Sequence, residues 1–185
     1  MKAKHAVMLA AFALTCLAPV KATQAQQPGK VIMPQQQIPA KVFVTIVGKL
    51  NRTIAQRLPV LRFSYEVDSP RNPATGLPSG ARQHKPVVFT TDWGAATPLL
   101  FQAATTNEVL ASVLFEFVRP DGAVYQTVKL TNATIASTRL FVGPQAPGEP
   151  PSPFPLEETS MTFQKIELAD IVGKTAAMDD WSSRQ

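Results

Sequence analysis

After residue 40, apolar and polar residues alternate in short runs, and this period of two is typical of β-strands. The run Val42–Val47 is β-branched and apolar on both sides, which predicts a central strand that Gly48 ends. Residues 61–67 (LRFSYEV) alternate strictly, and residues 86–91 (PVVFTT) predict a further strand. The pattern therefore favours a mostly β chain.

A β-hairpin is the clearest local feature. Arg119–Gly122 (RPDG) separates two alternating runs, at residues 111–118 and 124–130. Proline fixes φ at the second turn position, and glycine accepts the left-handed position that closes the turn. The apolar side chains predicted to share one face across this hairpin are Val113, Phe115, Phe117, Val124, Val128 and Leu130. Their burial contributes on the order of 10 kcal/mol before the entropy cost.

The later part of the chain predicts further strands. Residues 131–142 contain one strand or two, and residues 158–167 alternate as a last strand. The residues of this last strand that we expect to be buried are Met161, Phe163 and Ile166. One short helix is predicted at about residues 97–105, because Thr97 can cap it and Pro98 suits its first turn.

Loops and tails separate these elements. Residues 68–81 (DSPRNPATGLPSGA) hold three prolines and two glycines, and residues 143–155 hold six prolines, so both predict long loops. Residues 168–185 predict a polar C-terminal tail. The folded domain is therefore expected at residues 41–167, as an antiparallel β-barrel or sandwich with one short α-helix.

The first 25 residues predict a cleaved secretory signal peptide. Lys2 and Lys4 precede an uncharged apolar run at residues 6–20, and small residues lead to a cleavage site after about Ala25. The apolar run is shorter than the roughly 20 residues that a membrane-spanning helix needs. Residues 26–40 are rich in glutamine and proline and predict a flexible tether. We therefore expect a secreted or periplasmic protein without a permanent membrane span.

Composition narrows the classes of function. Cleavage after Ala25 removes three lysines and no acidic residue, so the net charge falls from +5 to +2. Such a small positive excess gives no support for nucleic-acid binding. Cleavage also removes Cys16, the single cysteine of the chain. The mature chain is then unable to use disulfides, thiol catalysis or cysteine-based metal sites.

Candidate chemistry is sparse in the mature chain. His84 is its one histidine and lies between Arg82 and Lys85. A general acid or base would need an accompanying nucleophile or carboxylate, and the sequence places none beside it, so a hydrogen-bonded loop histidine is the simpler interpretation. Trp93, just before the helix, is interpreted as a packing residue rather than a partner contact.

Two pairs of adjacent carboxylates complete the candidates. Glu157 and Glu158 are neighbours on a predicted strand, where successive side chains point to opposite faces, so they are badly placed to converge. Asp179 and Asp180 lie in the predicted tail. We therefore predict no catalytic residue, no cofactor and no metal site, and a protein that is not an enzyme.

Five segments carry a family resemblance. They are Arg82–Pro86 (RQHKP), Ala95–Ala103 (AATPLLFQA), Val113–Gly122 (VLFEFVRPDG), Val128–Ala133 (VKLTNA) and Pro155–Glu158 with Lys165–Glu167. In this order they resemble the Hcp family, the haemolysin-coregulated proteins that build the inner tube of type VI secretion systems. Residues 41–67 match more loosely.

The resemblance implies a β-barrel with one flanking helix, which assembles into hexameric rings that stack into a tube. It implies a structural carrier that meets secreted effector or spike proteins and has neither catalysis nor cofactor. The loop at residues 68–81 corresponds in order to an extended loop of the family that reaches a neighbouring subunit or ring. Ring contacts are head to tail, so two different surfaces of each protomer must be complementary.

Two features depart from the family pattern. Typical relatives lack a leader and assemble in the cytoplasm, and this chain continues for 18 residues after Glu167. The chain is therefore expected either in a type VI apparatus or as an exported relative that acts outside the cytoplasm. Two other hypotheses stay open: a monomeric periplasmic or extracellular β-domain that binds a protein or envelope component, and a hydrolase with an unrecognised site.

Overall fold

A computed structural model describes residues 41–49, 52–144, 148 and 151–181. The elements in these ranges are β1 (Lys41–Val47), β2 (Thr53–Val60), β3 (Arg62–Ser64), β4 (Val67–Asp68), β5 (Gln83–His84), β6 (Val87–Asp92), α1 (Thr97–Thr105), β7 (Leu110–Val118), β8 (Val124–Phe141), β9 (Leu156–Thr162), β10 (Lys165–Asp170) and β11 (Thr175–Asp180). The predicted signal peptide (1–25) and tether (26–40) lie outside the described residues. No helix in the described ranges is long and apolar enough to cross a bilayer.

Nine strands form one antiparallel sheet that closes on itself. Its order is β2-β1-β7-β8-β9-β6-β3, with β10 paired to β8 and β11 paired to β10. The two end strands, β2 and β3, are joined through Leu61 alone, whose N–H donates to the carbonyl oxygen of Thr90 at 2.8 Å. Strands β4 and β5 form a separate two-stranded sheet. This architecture confirms a mostly β fold with one short helix.

The β7–β8 hairpin supplies much of the barrel interior. Gly122 takes a φ of 89°, which is left-handed, and its N–H donates to the carbonyl oxygen of Arg119 at 2.9 Å. Val113 pairs with Leu130 and Phe115 with Val128 across the ladder. A register shift between Phe117 and Val118 turns the end of β7, and the side chains of Phe117 and Val124 stay half-buried. Met161, Phe163 and Ile166 are buried as predicted.

Helix α1 covers one end of the barrel and has the predicted bounds. Leu100 and Ala103 are its buried residues, whereas Phe101 is 54% exposed. The capping detail differs from the prediction, since the N-cap position is Ala96 and carries no side-chain hydrogen bond. Thr97 lies one residue further on, where its Oγ1 accepts a hydrogen bond from the N–H of Gly94 at 3.2 Å. Packing of the buried face, rather than a side-chain cap, holds this short helix.

Three of the predicted strands have different bounds. Residues 61–67 form β3 and β4 instead of one strand, and Leu61 and Val67 are about half exposed. The reason is that β3 pairs with β6 for three residues only, after which the chain leaves the barrel. Residues 131–141 belong to the single strand β8, and Val142 follows its end. The run at 158–167 divides at Phe163 because β9 pairs with the second part of β8 and β10 with its first part.

The predicted polar tail is wrong for residues 168–181. Strand β10 continues to Asp170, and β11 pairs with it, with Leu168 opposite Ala177 and Ala169 opposite Ala176. Asp170 Oδ1 accepts a hydrogen bond from the N–H of Gly173 at 2.7 Å and so closes the turn. The segment looks like a tail in sequence because an edge strand exposes most of its side chains while its backbone still pairs. The folded domain therefore extends beyond residue 167.

Candidate functional site

The ionisable residues that the sequence singles out lie near opposite ends of β9. Glu157 lies near the start of β9, in the barrel end covered by α1. Phe163 follows the other end, where its ring lies 5.7 Å from that of His84. His84 in turn contacts Asp179 of β11. The candidate residues thus divide into two separate clusters.

His84 is almost fully buried at the base of the long loop, and both of its ring nitrogens have partners. Nδ1 lies 2.6 Å from the Tyr65 hydroxyl, and Nε2 lies 2.8 Å from Oδ2 of Asp179. The ring centroids of His84 and Trp181 are 5.3 Å apart. Only 6% of the His84 side chain is exposed. The imidazole is therefore a bridge between the chain before the loop and the C-terminal strand.

Asp179 accepts hydrogen bonds from two side chains, Arg82 and His84. The Arg82 guanidinium donates from Nε and Nη2 to both carboxylate oxygens, and His84 shares one of them. The hydrogen bond from Arg82, followed by that from His84, holds the pKa of Asp179 below its ordinary value despite its partial burial. Sequence reasoning missed this site because Asp179 is 95 residues from His84. We call Tyr65, Arg82, His84 and Asp179 the clasp.

The clasp has the order of groups found in nucleophilic relays, a hydroxyl, an imidazole and a carboxylate. Two observations argue against that chemistry. Burial, and secondly the charge of Asp179, raise the pKa of Tyr65, so its phenol keeps its proton at neutral pH. Both ring nitrogens of His84 are already engaged, so neither faces an open binding site. The arrangement instead joins the chain around the long loop to the C-terminal strand β11.

Glu157 occupies the opposite barrel end and is 1% exposed. Oε1 accepts a hydrogen bond from Thr138 Oγ1 at 3.1 Å, whereas Oε2 and the hydroxyls of Thr91 and Thr159 have no protein partner within the described residues. Burial raises the pKa of Glu157, and the nearby hydroxyls of Thr97 and Thr138 act in the opposite direction. This buried carboxyl is a feature that strand alternation alone did not reveal.

The remaining candidates do not extend either cluster. Glu158 faces away from Glu157 and forms an ion pair with Arg139 at 3.3 Å. Trp93 donates from Nε1 to the carbonyl oxygen of Leu156 at 2.8 Å and stays 46% exposed. Among the described residues, no group of three or more histidine, aspartate or glutamate side chains is arranged to hold a metal ion.

The long loop is an ordered projection, and we call residues 66–85 the arm. Strands β4 and β5 pair at its base, with Val67 opposite His84. Further out, the N–H of Asn72 donates to the carbonyl oxygen of Leu77 at 2.8 Å, and Asn72 Oδ1 accepts from the N–H of Ala74 at 2.8 Å. Every residue from 71 to 83 is nevertheless exposed. The arm has a defined shape but buries almost none of it on its own protomer.

Apolar surface is also exposed near the C-terminal hairpin. A groove of about 460 Å³ lies between β10–β11 and the aromatic side chains of Phe63 and Phe117. On the hairpin itself, Leu168 is 40% and Met178 71% exposed. Strand β11 pairs with β10 on one side only within the described residues. An unpaired strand edge beside apolar side chains is a ready surface for pairing with another chain.

Comparison with known proteins identifies the family. The model of the family described as "Type VI secretion system effector, Hcp" matches residues 48–169. The "Major exported protein" of Pseudomonas aeruginosa PAO1 is 36% identical over 126 residues, which are 65% of this chain and 73% of that protein.

Solved structures agree with this assignment. A crystal structure of an Hcp protein has a TM-score of 0.67 at 26% identity and covers 76% of this chain and 99% of its own. The secreted protein Hcp3 from Pseudomonas aeruginosa has a TM-score of 0.62 at 26% identity, covering 79% of this chain and 99% of its own. The family match spans most of the barrel and the whole arm, and the chain belongs to the Hcp family.

Proposed function

We propose that this protein is a structural, non-enzymatic member of type VI secretion that assembles into rings of identical protomers. By family resemblance the ring is a hexamer, and rings stack into a tube that meets secreted effector or spike proteins. The single observation that best supports assembly is the arm, which is held in shape by its own hydrogen bonds and yet exposes every residue from 71 to 83. An ordered segment that buries almost none of its surface on its own protomer suits contact with another protomer.

The barrel also offers a second type of contact surface, a strand edge, to which the arm or a strand of a neighbouring protomer can bind. Within the described residues, β11 pairs with another strand along one edge only, and Met178 is exposed beside it. Closed rings use two different patches on each protomer, one at each side of the interface. An arm at one place and a strand edge at another satisfy that requirement, whereas a strictly monomeric protein would leave both uncovered.

Assembly is testable through the arm. The mass of the protein purified after expression of the full chain is measured by size-exclusion chromatography with light scattering, across a range of concentrations. We expect a mass near six protomers, with rings visible by electron microscopy. Leu77→Asp places a charge at an arm side chain that is 64% exposed and is expected to lower the mass without lowering the thermal unfolding midpoint.

Val142→Asp is the matched control, because Val142 is 75% exposed and follows the end of β8, away from the arm. It is expected to keep the wild-type mass. A wild-type protein that stays monomeric at high concentration contradicts ring assembly and favours the monomeric β-domain.

We further propose that the protein is exported with its signal peptide removed near Ala25, which leaves residues 26–40 as a tether before the barrel. The relative named "Major exported protein" supports export in general terms. Intact mass and N-terminal sequencing of the protein recovered outside the cytoplasm measure the processing. A mature N-terminus at about Gln26 is expected, and recovery of a full-length chain from the cytoplasm alone contradicts it.

A further inference from the structure

The arm is tied to its own protomer over a short base. Val67 pairs with His84 and Asp68 with Gln83, and the N–H of Lys85 donates to the carbonyl oxygen of Glu66 at 2.9 Å. These bonds join the two halves of the arm to each other and not to the barrel. The direction in which the arm leaves the barrel therefore depends on what its base contacts outside the arm.

The clasp is that outside contact. His84 and Arg82 are arm residues, and both hold Asp179 on β11. Tyr65, the residue directly before the arm, holds the other nitrogen of the same imidazole. The base of the arm is thus fixed from two directions, by Tyr65, which directly follows β3, and by the C-terminal strand β11.

The clasp has a well-defined geometry for a contact near the surface. Hydrogen bonds between a guanidinium and a carboxylate are charge-assisted, and paired ones also fix the angle between the groups. The rings of Phe163 and Trp181 lie 5.7 Å and 5.3 Å from the imidazole and keep water from it. Asp179 stays ionised at neutral pH because Arg82 and His84 hold its pKa low.

We propose that β11 sets the direction of the arm through the clasp, and that Arg82, His84 and Asp179 are positioning residues for contact between protomers. This inference rests on the proposed ring. A closed ring needs the same geometry at every interface. When an arm swings freely, only a fraction of protomers has it correctly placed at any moment, and the apparent affinity falls by that fraction.

Asp179→Asn in the full chain tests the inference. The concentration at which the ring dissociates is measured by light scattering, and hydrogen exchange is measured at residues 83–85 and 175–180. We expect a rise of about tenfold or more in the dissociation concentration, as when the competent fraction falls to a tenth. Exchange at the base of the arm is expected to accelerate. Asp92→Asn removes the same charge at the far end of β6 and is expected to change neither readout.

A second pair of variants separates positioning from a simple loss of folding. The Arg82 side chain is 54% exposed, so its replacement leaves the core intact. Arg82→Gln is expected to weaken the ring, and Arg82→Lys, which keeps a charged donor, is expected to restore part of the loss. Equal effects of the two would contradict a role for charge-assisted positioning.

The outcomes distinguish the two proposals. A wild-type ring that both Asp179→Asn and Arg82→Gln leave unchanged overturns the clasp inference alone. Weakened rings without faster exchange at the arm base overturn it as well, because the arm would then not have moved. A wild-type protein that never forms a ring overturns the proposed function and the inference with it.

Discussion

The carboxyl groups of Glu157, on β9, and Asp179, on β11, lie in opposite environments near the two ends of β9. Glu157 is 1% exposed, keeps one oxygen without a protein partner within the described chain, and has its pKa raised by burial. Asp179 is partly exposed and accepts hydrogen bonds from Arg82 and His84, which lower its pKa. The first end is closed by α1, and the second carries the arm. Burial thus disfavours the charged form of the carboxyl at the closed end, whereas Arg82 and His84 favour it at the end that we assign to assembly.

Because of this difference, the two carboxyl groups make the stability of the protein depend on pH in opposite directions. A carboxyl whose pKa is raised on folding stabilises the protein below its unfolded pKa, and that contribution is lost as the pH rises through the folded pKa. A carboxyl whose pKa is lowered on folding stabilises the protein above its unfolded pKa, and that contribution is lost as the pH falls through the folded pKa. Glu157 belongs to the first case and Asp179 to the second.

Opening the closed end should have the largest effect. Leu100→Ala removes a fully buried side chain of α1 and is expected to lower the free energy of unfolding by about 2–5 kcal/mol, measured by denaturant titration. Because water then reaches Glu157, its pKa should fall back toward the ordinary value. Phe101→Ala on the same helix, at a side chain that is 54% exposed, should cost less than about 1 kcal/mol. Equal losses for both would mean that α1 does not close this end.

Removing the buried charge should have an intermediate effect that depends on pH. Glu157→Gln is expected to be more stable than the wild type by about 1–3 kcal/mol at pH values above the raised pKa, and the difference should shrink as the pH falls. The free energy of unfolding as a function of pH measures it. Glu158→Gln, which removes a partly exposed carboxylate paired with Arg139, should leave the slope unchanged. If the free energy of unfolding of Glu157→Gln depends on pH as steeply as that of the wild type, another group causes this dependence.

Breaking the clasp should have the smallest effect on global stability. Asp179→Asn is expected to lower the free energy of unfolding by less than about 1 kcal/mol at neutral pH, because solvent screens the Arg82 side of the contact.

The loss of the clasp should instead be visible locally, at Trp181. In the wild type, the fluorescence of Trp181, which lies against His84, should change only at a pH below the ordinary aspartate range, where Asp179 takes up its proton because Arg82 holds its pKa low. Asp179→Asn should show the changed signal at every pH, and a titration that persists in this variant would contradict the assignment.

Local patterns in the sequence predict much of the barrel. Neighbouring residues indicate both the RPDG turn, with Gly122 in the left-handed region, and the helix that begins at Thr97 and Pro98. Both are present, although packing rather than the predicted Thr97 cap holds the helix. Strand β2 received no prediction because Thr53–Val60 lacks regular alternation, and Arg57 takes a φ of 46° there. Strand β11 was interpreted as a tail because pairing on one edge leaves its side chains exposed.

The clasp could not be predicted from the sequence alone. Its residues lie at the ends of two long segments, and Asp179 reaches His84 only after β10 and β11 fold back along β8. A weak signal for it is the apolar Met178 directly before Asp179 and Asp180 in an otherwise small-residue run. Glu157 was correctly separated from Glu158 by strand alternation, but which of the two faces the interior depends on the whole sheet.

Strand β8 has a consequence for how the chain folds. Its 18 residues pair with β7, β9 and β10, so every strand of the nine-stranded sheet lies within three pairings of it. Without β8, the strands β7, β9 and β10 would each lose a pairing partner. The domain should therefore gain and lose its structure in a single cooperative step. A subdomain that melts early while the remainder persists has no place in this topology.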